Sequence, residues 1–457
     1  MQKAIFTLLV LLFSVSAVQA QKTSYINLIN RAGAAQIFID DIILPTEEGK
    51  TNVSIIFRFD NDFLPYKKIT YSDKIEAPEG MGFYTIARLN AEIFEGKANR
   101  RRANNSEIAS RDLWIDTLYT KTFEETESKK LYASGSLTNT LEVGEYNYVL
   151  QLSLMENTNE RSSTPTNLKI VDWDKKKTGE VILIKEISEN KELPLMNLSN
   201  NVLFGKDFYS LIRIPNYNAS SKYSINISKA KVTRRDTTGT ESVLKLDIST
   251  SDISENVLPS VTQGREPSII LSKSEQDYTY ALVKIPNATL DNSAYLLEVN
   301  SSESSEPIAT KLFRSYWPDM PAGLLNLDIS IDMMKHIVSE ETLKEIKSGS
   351  QKEKETKFRE FWASKDPTPN TIYNELMAEY YRRIDYSFRE FGNRGNFDGH
   401  ESDQGKVYIK YGPPVSTERQ FPTNGKVLEV WNYTNKKFVF EASTGFGDFV
   451  LLGSGTE

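Results

Sequence analysis

From Gln21 to about Pro318 apolar and polar residues alternate with period two, and after Trp317-Pro318 the apolar residues recur about every 3.6 positions. Period two places successive side chains on opposite faces of a strand, whereas 3.6 gathers them on one side of a helix. The chain therefore reads as a long β-rich part followed by a shorter part that opens with helices. In residues 52–60, Val53, Ile55, Phe57 and Phe59 point one way while Ser54 and Arg58 point the other. In residues 146–154, Tyr146, Tyr148, Leu150, Leu152 and Leu154 alternate with Asn147, Gln151 and Ser153. Such runs are separated by Gly, Pro, Asn or Asp, with no long helical stripe between them, which predicts antiparallel sandwiches.

The β-rich part repeats itself. Leu141-Glu-Val-Gly-Glu-Tyr146 and Leu290-Asp-Asn-Ser-Ala-Tyr295 share a Leu-to-Tyr spacing, and Tyr84-Thr-Ile86 has a counterpart in Tyr223-Ser-Ile225. The offsets, 149 and 139 residues, predict a duplicated domain with loop insertions: two tandem immunoglobulin-like sandwiches over residues 21–172 and 173–317. A leucine and a turn before a tyrosine-led strand also fits a corner in which the hydroxyl bonds back to the turn; a plain aromatic strand start reads the same way. The link between the copies is expected at Asp172 to Gly179, or a strand away if Asp172 to Lys177 is a hairpin tip.

Residues 318–457 predict an α+β domain. Ile329, Met333 and Ile337 share a helix face, Ser339 caps a helix with Glu340 and Glu341 in its first turn, and Gly349 stops it. A further helix over 350–363 ends at Asp366-Pro-Thr-Pro369. The next is expected from Asn370 or Thr371, with Ile372, Leu376, Tyr380, Ile384 and Phe388 inward. On its wet side Glu379 with Arg383 and Asp385 with Arg389 form i,i+4 ion pairs. Strands are expected at 407–411, 427–433, 437–441 and 449–452.

Phe361-Trp362 before Asp366-Pro-Thr-Pro369, Glu379-Tyr-Tyr-Arg382, Gly399-His-Glu-Ser-Asp403 and Gly405-Lys-Val-Tyr-Ile-Lys-Tyr-Gly-Pro-Pro414 together resemble the GWxTD-domain proteins of bacteria. The resemblance runs from about Trp317 to Leu452, and departs at the name-giving motif, where His400 replaces the tryptophan and Ser402 the threonine. It implies an exported, multidomain protein with β-domains ahead of the module and no established activity to carry over.

At the N-terminus, Lys3, the apolar run Ala4 to Val15 and Val18-Gln19-Ala20 predict a secretory signal peptide over residues 1–20, too short for a membrane anchor. No later segment predicts a membrane-spanning helix, and the absence of cysteine excludes disulfides and thiolate sites. A net charge of −7 over 457 residues argues against a nucleic-acid surface, and Arg100-Arg-Arg102 and Lys175-Lys-Lys177 read as solvated loop tips.

His400, Ser402 and Asp403 have the residue types of a nucleophilic triad, but they are neighbours in a loop without a nucleophile elbow, so no catalytic residue is assigned. Asn396, Asp398, Glu401 and Asp403 are weak calcium candidates, and no other cofactor or metal is expected from two histidines. Asp366, Glu379, Arg382, Arg383, His400, Ser402, Asp403 and Tyr411 are the binding or structural-motif candidates. Asp403 is expected to fix a turn, with Arg382 or Arg383 clamping its carboxylate. The expected function is an exported, periplasmic or extracellular, non-enzymatic interaction or scaffolding protein, its partners other envelope proteins or glycans. The alternative is a hydrolase of glycans or peptides that pairs Asp366 or Asp403 with Glu375 or Glu379.

Overall fold

The computed structural model describes residues 25, 28, 37–73, 75–98, 107–155, 161–233, 236–392, 399–423, 425–443 and 449–455. The signal peptide at 1–20, the Arg100 cluster, Asn396 and Asp398 lie outside the described residues. The chain forms two compact units, Ala34–Met320 with Arg359–Ala378, and Met1–Gly33 with Pro321–Phe358 and Glu379–Glu457.

In the β-rich unit one strand order occurs twice. Strands β1 (Ile37–Pro45), β2 (Thr51–Asp60), β3 (Phe83–Glu95), β4 (Ile108–Thr120), β5 (Tyr132–Leu141), β6 (Gly144–Leu154) and β7 (Thr166–Ile170) are followed by β8 (Val181–Ile184), β9 (Phe208–Ile214), β10 (Tyr223–Val232), β11 (Thr237–Ile248), β12 (Thr279–Ile285), β13 (Ala294–Ser301) and β14 (Ala309–Tyr316). The first seven pair as β1-β2-β5 and β4-β3-β6-β7. The second seven pair as β8-β9-β12 and β11-β10-β13-β14. Every one of these pairings is antiparallel, and the sandwich-like sheets pack on two large apolar cores, the second of which also takes in Phe38 of β1.

Both expected corners form. The Tyr146 hydroxyl donates to the Glu142 carbonyl at 3.2 Å, and the Tyr295 hydroxyl to the Asp291 carbonyl at 2.9 Å, each four residues back. Opposite them stand Glu95 in β3 and Lys229 in β10, 134 residues apart. Measured from its corner, Tyr223 therefore matches Leu89, and the expected match of Tyr84 with Tyr223 is five residues out of register. Removing a hydroxyl from a hydrogen bond of this kind costs about 1 kcal/mol. Tyr295→Phe is expected to lower unfolding stability by that amount in guanidinium titration, and Tyr146→Phe, with its longer bond, by less.

Strand β2 departs from its alternating pattern because both of its faces are covered. Val53, Ile55, Phe57 and Phe59 enter the first core, while Ile56 joins a third core with Ile42, Leu44, Trp173, Ile182, Ile184 and Leu211. Arg58, expected on the outward face, is buried, with its Nε 2.8 Å from the Asp60 carboxylate and its guanidinium 3.8 Å from the centre of the Tyr132 ring. The third core draws residues from both sets of seven strands, so Trp173 anchors the connection between β7 and β8, its Nε1–H donating to Thr51 Oγ1 at 2.9 Å.

The C-terminal unit contains α1 (Leu327–Met333), α2 (Glu340–Lys347) and parts of α3 (Gln351–Ala363) and α4 (Glu375–Glu390), then α5 (Asp403–Tyr411) and an antiparallel sheet β15 (Ser416–Gln420), β16 (Leu428–Tyr433), β17 (Lys436–Ala442), β18 (Phe449–Gly455) in sequential order. Asn326 and Ser339 cap α1 and α2 as short polar side chains do. Tyr380, Tyr381, Ile384 and Phe388 line the buried side of α4, and the Tyr380 and Tyr381 hydroxyls donate to the carbonyls of Met333 and Ser330, both at 2.6 Å.

Three expectations are corrected here. Residues 407–411 are helical: Ser402 Oγ accepts the Gly405 N–H at 3.0 Å and starts α5, overriding the strand-like alternation of Val407, Ile409 and Tyr411. Helix α4 starts at Glu375, because Asn374 Oδ1 accepts the Met377 N–H at 2.8 Å; Ile372 precedes the helix and Leu376 is 47% exposed. Asp385 is not on a wet side, for it accepts the Tyr25 hydroxyl and, at 2.8 Å, the Ala322 N–H. By compactness Tyr25 groups with the C-terminal unit and residues 359–378 with the β-rich unit.

Candidate functional site

Gly399 to Asp403 forms a tight joint built largely from backbone. A 3-10 turn over Gly399–Glu401 leads to Ser402, whose hydroxyl caps α5 and donates to the Gly399 carbonyl at 2.7 Å. A Cβ on Gly399 would sit 2.3 Å from the Ser387 carbonyl oxygen and 2.5 Å from the Gly392 nitrogen; one on Gly405 would sit 2.0 Å from the Gly399 oxygen. Only glycine allows those approaches. Asp403 Oδ2 accepts the Leu451 N–H at 2.9 Å and so ties α5 to β18. His400, 4% exposed, stacks with Phe388 and Tyr25 at ring-centre distances of 5.7 and 6.1 Å, filling space as a flat aromatic would.

The arginine clamp expected on Asp403 takes another form. Arg383 Nε lies 2.8 Å and Arg382 Nη1 3.6 Å from the Glu379 carboxylate, one turn back on α4. The Arg383 guanidinium also packs over Gly412, which ends α5 at φ +78°. Tyr411, the last residue of α5, packs its ring against Tyr433 and Phe438, with Lys436 Nζ 4.8 Å from the ring centre. In the β-rich unit, Asp366 Oδ1 accepts the Thr368 N–H at 2.8 Å, and Thr368 Oγ1 donates to Glu375 at 2.5 Å. These carboxylates are engaged in turns and ion pairs of their own neighbourhoods.

Two groupings were not legible in the sequence. Glu429 in β16 is buried and accepts from Gln404 Nε2, Trp431 Nε1 and Arg419 Nε at 2.8, 2.9 and 2.8 Å, linking α5 with two strands. The chain's two histidines also meet: His336, in the turn Met334–His336, lies edge-on to His400 at 5.9 Å, with His400 Nε2 3.5 Å from the Glu401 carboxylate. Lys335 pairs with the same carboxylate. Burial alone would raise the Glu401 carboxyl; Lys335 and the two imidazoles outweigh it and hold the group below its ordinary value.

Burial pushes His336 down to about 4, partly offset by Glu401 and reinforced by Lys335 and His400. The unfolded chain then binds a proton near pH 6.5 that the folded chain refuses until about 4. The stability held by neutral His336 is complete above about pH 6.5 and is lost as pH falls toward 4. Relative to His336→Asn, the wild type is expected to lose on the order of 2 kcal/mol across that window, allowing for partial exposure, in denaturant titrations at each pH.

A cavity of about 280 Å³ in the β-rich unit is lined by Asp40, Glu180, Asn197, Asn200, Thr310 and Lys311 among others. Ser199 N–H holds Asp40 at 2.7 Å; burial raises the Asp40 carboxyl and lowers the Lys311 ammonium. Its lining includes none of Asp366, Glu375, Glu379 and Asp403, the carboxylates of the hydrolase alternative.

Residues 293–447 match the family model for the GWxTD domain, so the chain carries that domain. The match begins upstream of the expected Trp317, at Ser293, immediately before β13. This fits the packing of residues 359–378 within the β-rich unit, where the Ile372 N–H donates to the Ala288 carbonyl at 2.9 Å and Tyr373 covers Gly205. No curated protein matches the chain. Among solved structures it is similar to the C-terminal domain of the Streptococcus pyogenes antigen I/II-family protein AspA, at 6% identity over 61% of this chain and 98% of that one, with TM-score 0.14. A second is the type II cohesin dyad from the adaptor ScaA scaffoldin of Acetivibrio cellulolyticus, at 13% identity over 62% and 93%, TM-score 0.14. A third is CfaE, the adhesive subunit of CFA/I fimbria of enterotoxigenic Escherichia coli, at 10% identity over 62% and 86%, TM-score 0.12. At these TM-scores the likeness carries no argument. Among the described residues no helix is long and apolar enough to cross a membrane.

Proposed function

We propose that this GWxTD-domain chain is an exported, non-enzymatic interaction or scaffolding protein of the bacterial cell envelope, periplasmic or extracellular, that acts on other envelope proteins or glycans. Residues 1–20 are its cleaved signal peptide, strands β1–β7 and β8–β14 its two immunoglobulin-like sandwiches, and the C-terminal unit the centre of its GWxTD module. The observation that carries the reading is the joint at Gly399 to Asp403, where glycine, serine and aspartate are committed to close packing, helix capping and a backbone hydrogen bond. The repeated strand order with its paired tyrosine corners supports spacer or binding modules ahead of it.

Cell fractionation with N-terminal sequencing, followed by in-cell cross-linking and mass spectrometry, tests this. A mature chain starting at Gln21 outside the cytoplasm, cross-linked reproducibly to the same envelope components, is the expected result. Hydrolysis of a peptidoglycan or peptide panel that Asp403→Asn or Glu379→Gln abolishes, with circular dichroism unchanged, would instead establish the hydrolase.

A further inference from the structure

The two histidines of the whole chain, 64 residues apart, converge in the C-terminal unit beside a carboxylate. One ligand atom from each of His336, His400 and Glu401 lies within 4.8 Å of the other two. Two imidazoles and a carboxylate form a donor set suited to zinc and neighbouring late transition metals, and three protein ligands leave a fourth position for water. We propose that His336, His400 and Glu401 form a binding site for one zinc ion.

The geometry needs only a small closure. Metal–ligand bonds of about 2.0–2.1 Å in a tetrahedron place ligand atoms roughly 3.4 Å apart. His400 is fixed by its buried stacking on Phe388 and Tyr25, so it sets the position of the ion. His336 and Glu401 are only half-buried and can rotate toward it. The His336 Nε2 atom is buried without a hydrogen-bond partner, which an inward rotation onto a metal would satisfy. Lys335 is the cation that now neutralises Glu401; its side chain is 38% exposed and leaves into solvent when the metal takes its place. The site joins the turn after α1 to the turn before α5, and it exists only because histidine stands where the family motif has tryptophan. Calcium, which favours six to eight oxygens, does not fit two imidazoles.

The test is isothermal titration of the untagged, metal-free mature chain with zinc chloride, repeated with calcium chloride. One zinc per chain is expected, accompanied by a rise in melting temperature. His336→Ala and His400→Trp are expected to weaken zinc binding by more than about tenfold, the tryptophan keeping the stacking and the fold. Lys335→Met is expected to tighten it, because the competing ammonium is gone. Absence of zinc binding at 100-fold excess over protein, or zinc binding unchanged in a folded His336→Ala or His400→Trp chain, would overturn the proposal. So would one-to-one binding of calcium in preference to zinc.

Discussion

Gly405→Ala is expected to prevent stable folding of the C-terminal unit. The new Cβ would stand 2.0 Å from the Gly399 carbonyl oxygen and 3.0 Å from the His400 Cα, both backbone atoms that cannot swing aside. Relief requires moving the Gly399–Glu401 turn, but Gly399 is itself pressed against Ser387, Phe391 and Gly392 at the end of α4. Overpacking a tight site costs about 1–3 kcal/mol, and a clash with backbone on two sides belongs at or beyond the upper end. Near-ultraviolet circular dichroism should show loss of the packed environment of Trp431, which lies in the core behind α5. Gly453→Ala in β18, with nothing within 4 Å of the added atom, is the matched control and should change stability by less than about 0.5 kcal/mol.

Tyr25→Ala is expected to cost about 3–5 kcal/mol in the same unit, as truncation of a buried aromatic does. Tyr25 is 8% exposed, packs 4.9 Å from the Phe388 ring centre and stacks on His400, so its removal opens a cavity against α4. Its hydroxyl also donates to Asp385, whose carboxyl burial has already raised above the ordinary range. Without that donor Asp385 keeps the Ala322 N–H but becomes a poorer anion, which adds to the loss. Tyr25→Phe separates the two contributions, because it retains the ring and removes only the hydrogen bond, with an expected cost of about 1–3 kcal/mol. Guanidinium titration followed by tryptophan fluorescence reads both variants.

Local features of the fold were legible and distant ones were not. The Leu-to-Tyr spacing found both corners because a corner closes within four residues. The strand match upstream slipped five residues because β3 runs longer than its counterpart β10 before the corner, and nothing local marks that length. The reading of 407–411 as a strand followed the alternation of Val407, Ile409 and Tyr411. Ser402 was missed as a cap because its third following residue is Gly405 rather than the Glu or Gln of a capping box. The ion pair assigned to Asp385 and Arg389 obeyed helix spacing, yet Tyr25, 360 residues away, captures the carboxylate. His336 and Glu429 gain their meaning only from long-range contacts, with His400 and with Gln404. The scarcity of histidine was the one signal available for the former.

The resemblance to the GWxTD family singles out the loop Gly399 to Asp403, and the structure gives its residues physical duties. Gly399 permits close approach to α4, His400 fills an aromatic slot, Ser402 caps α5, and Asp403 holds β18. That the motif holds the fold together is the central claim. Denaturant unfolding of Asp403→Ala beside the wild type measures it most directly. Loss of the charge-assisted bond to the Leu451 N–H is predicted to lower stability by about 1.5–3 kcal/mol, moving the midpoint with the slope unchanged. An unfolding curve superimposable on that of the wild type would contradict the claim.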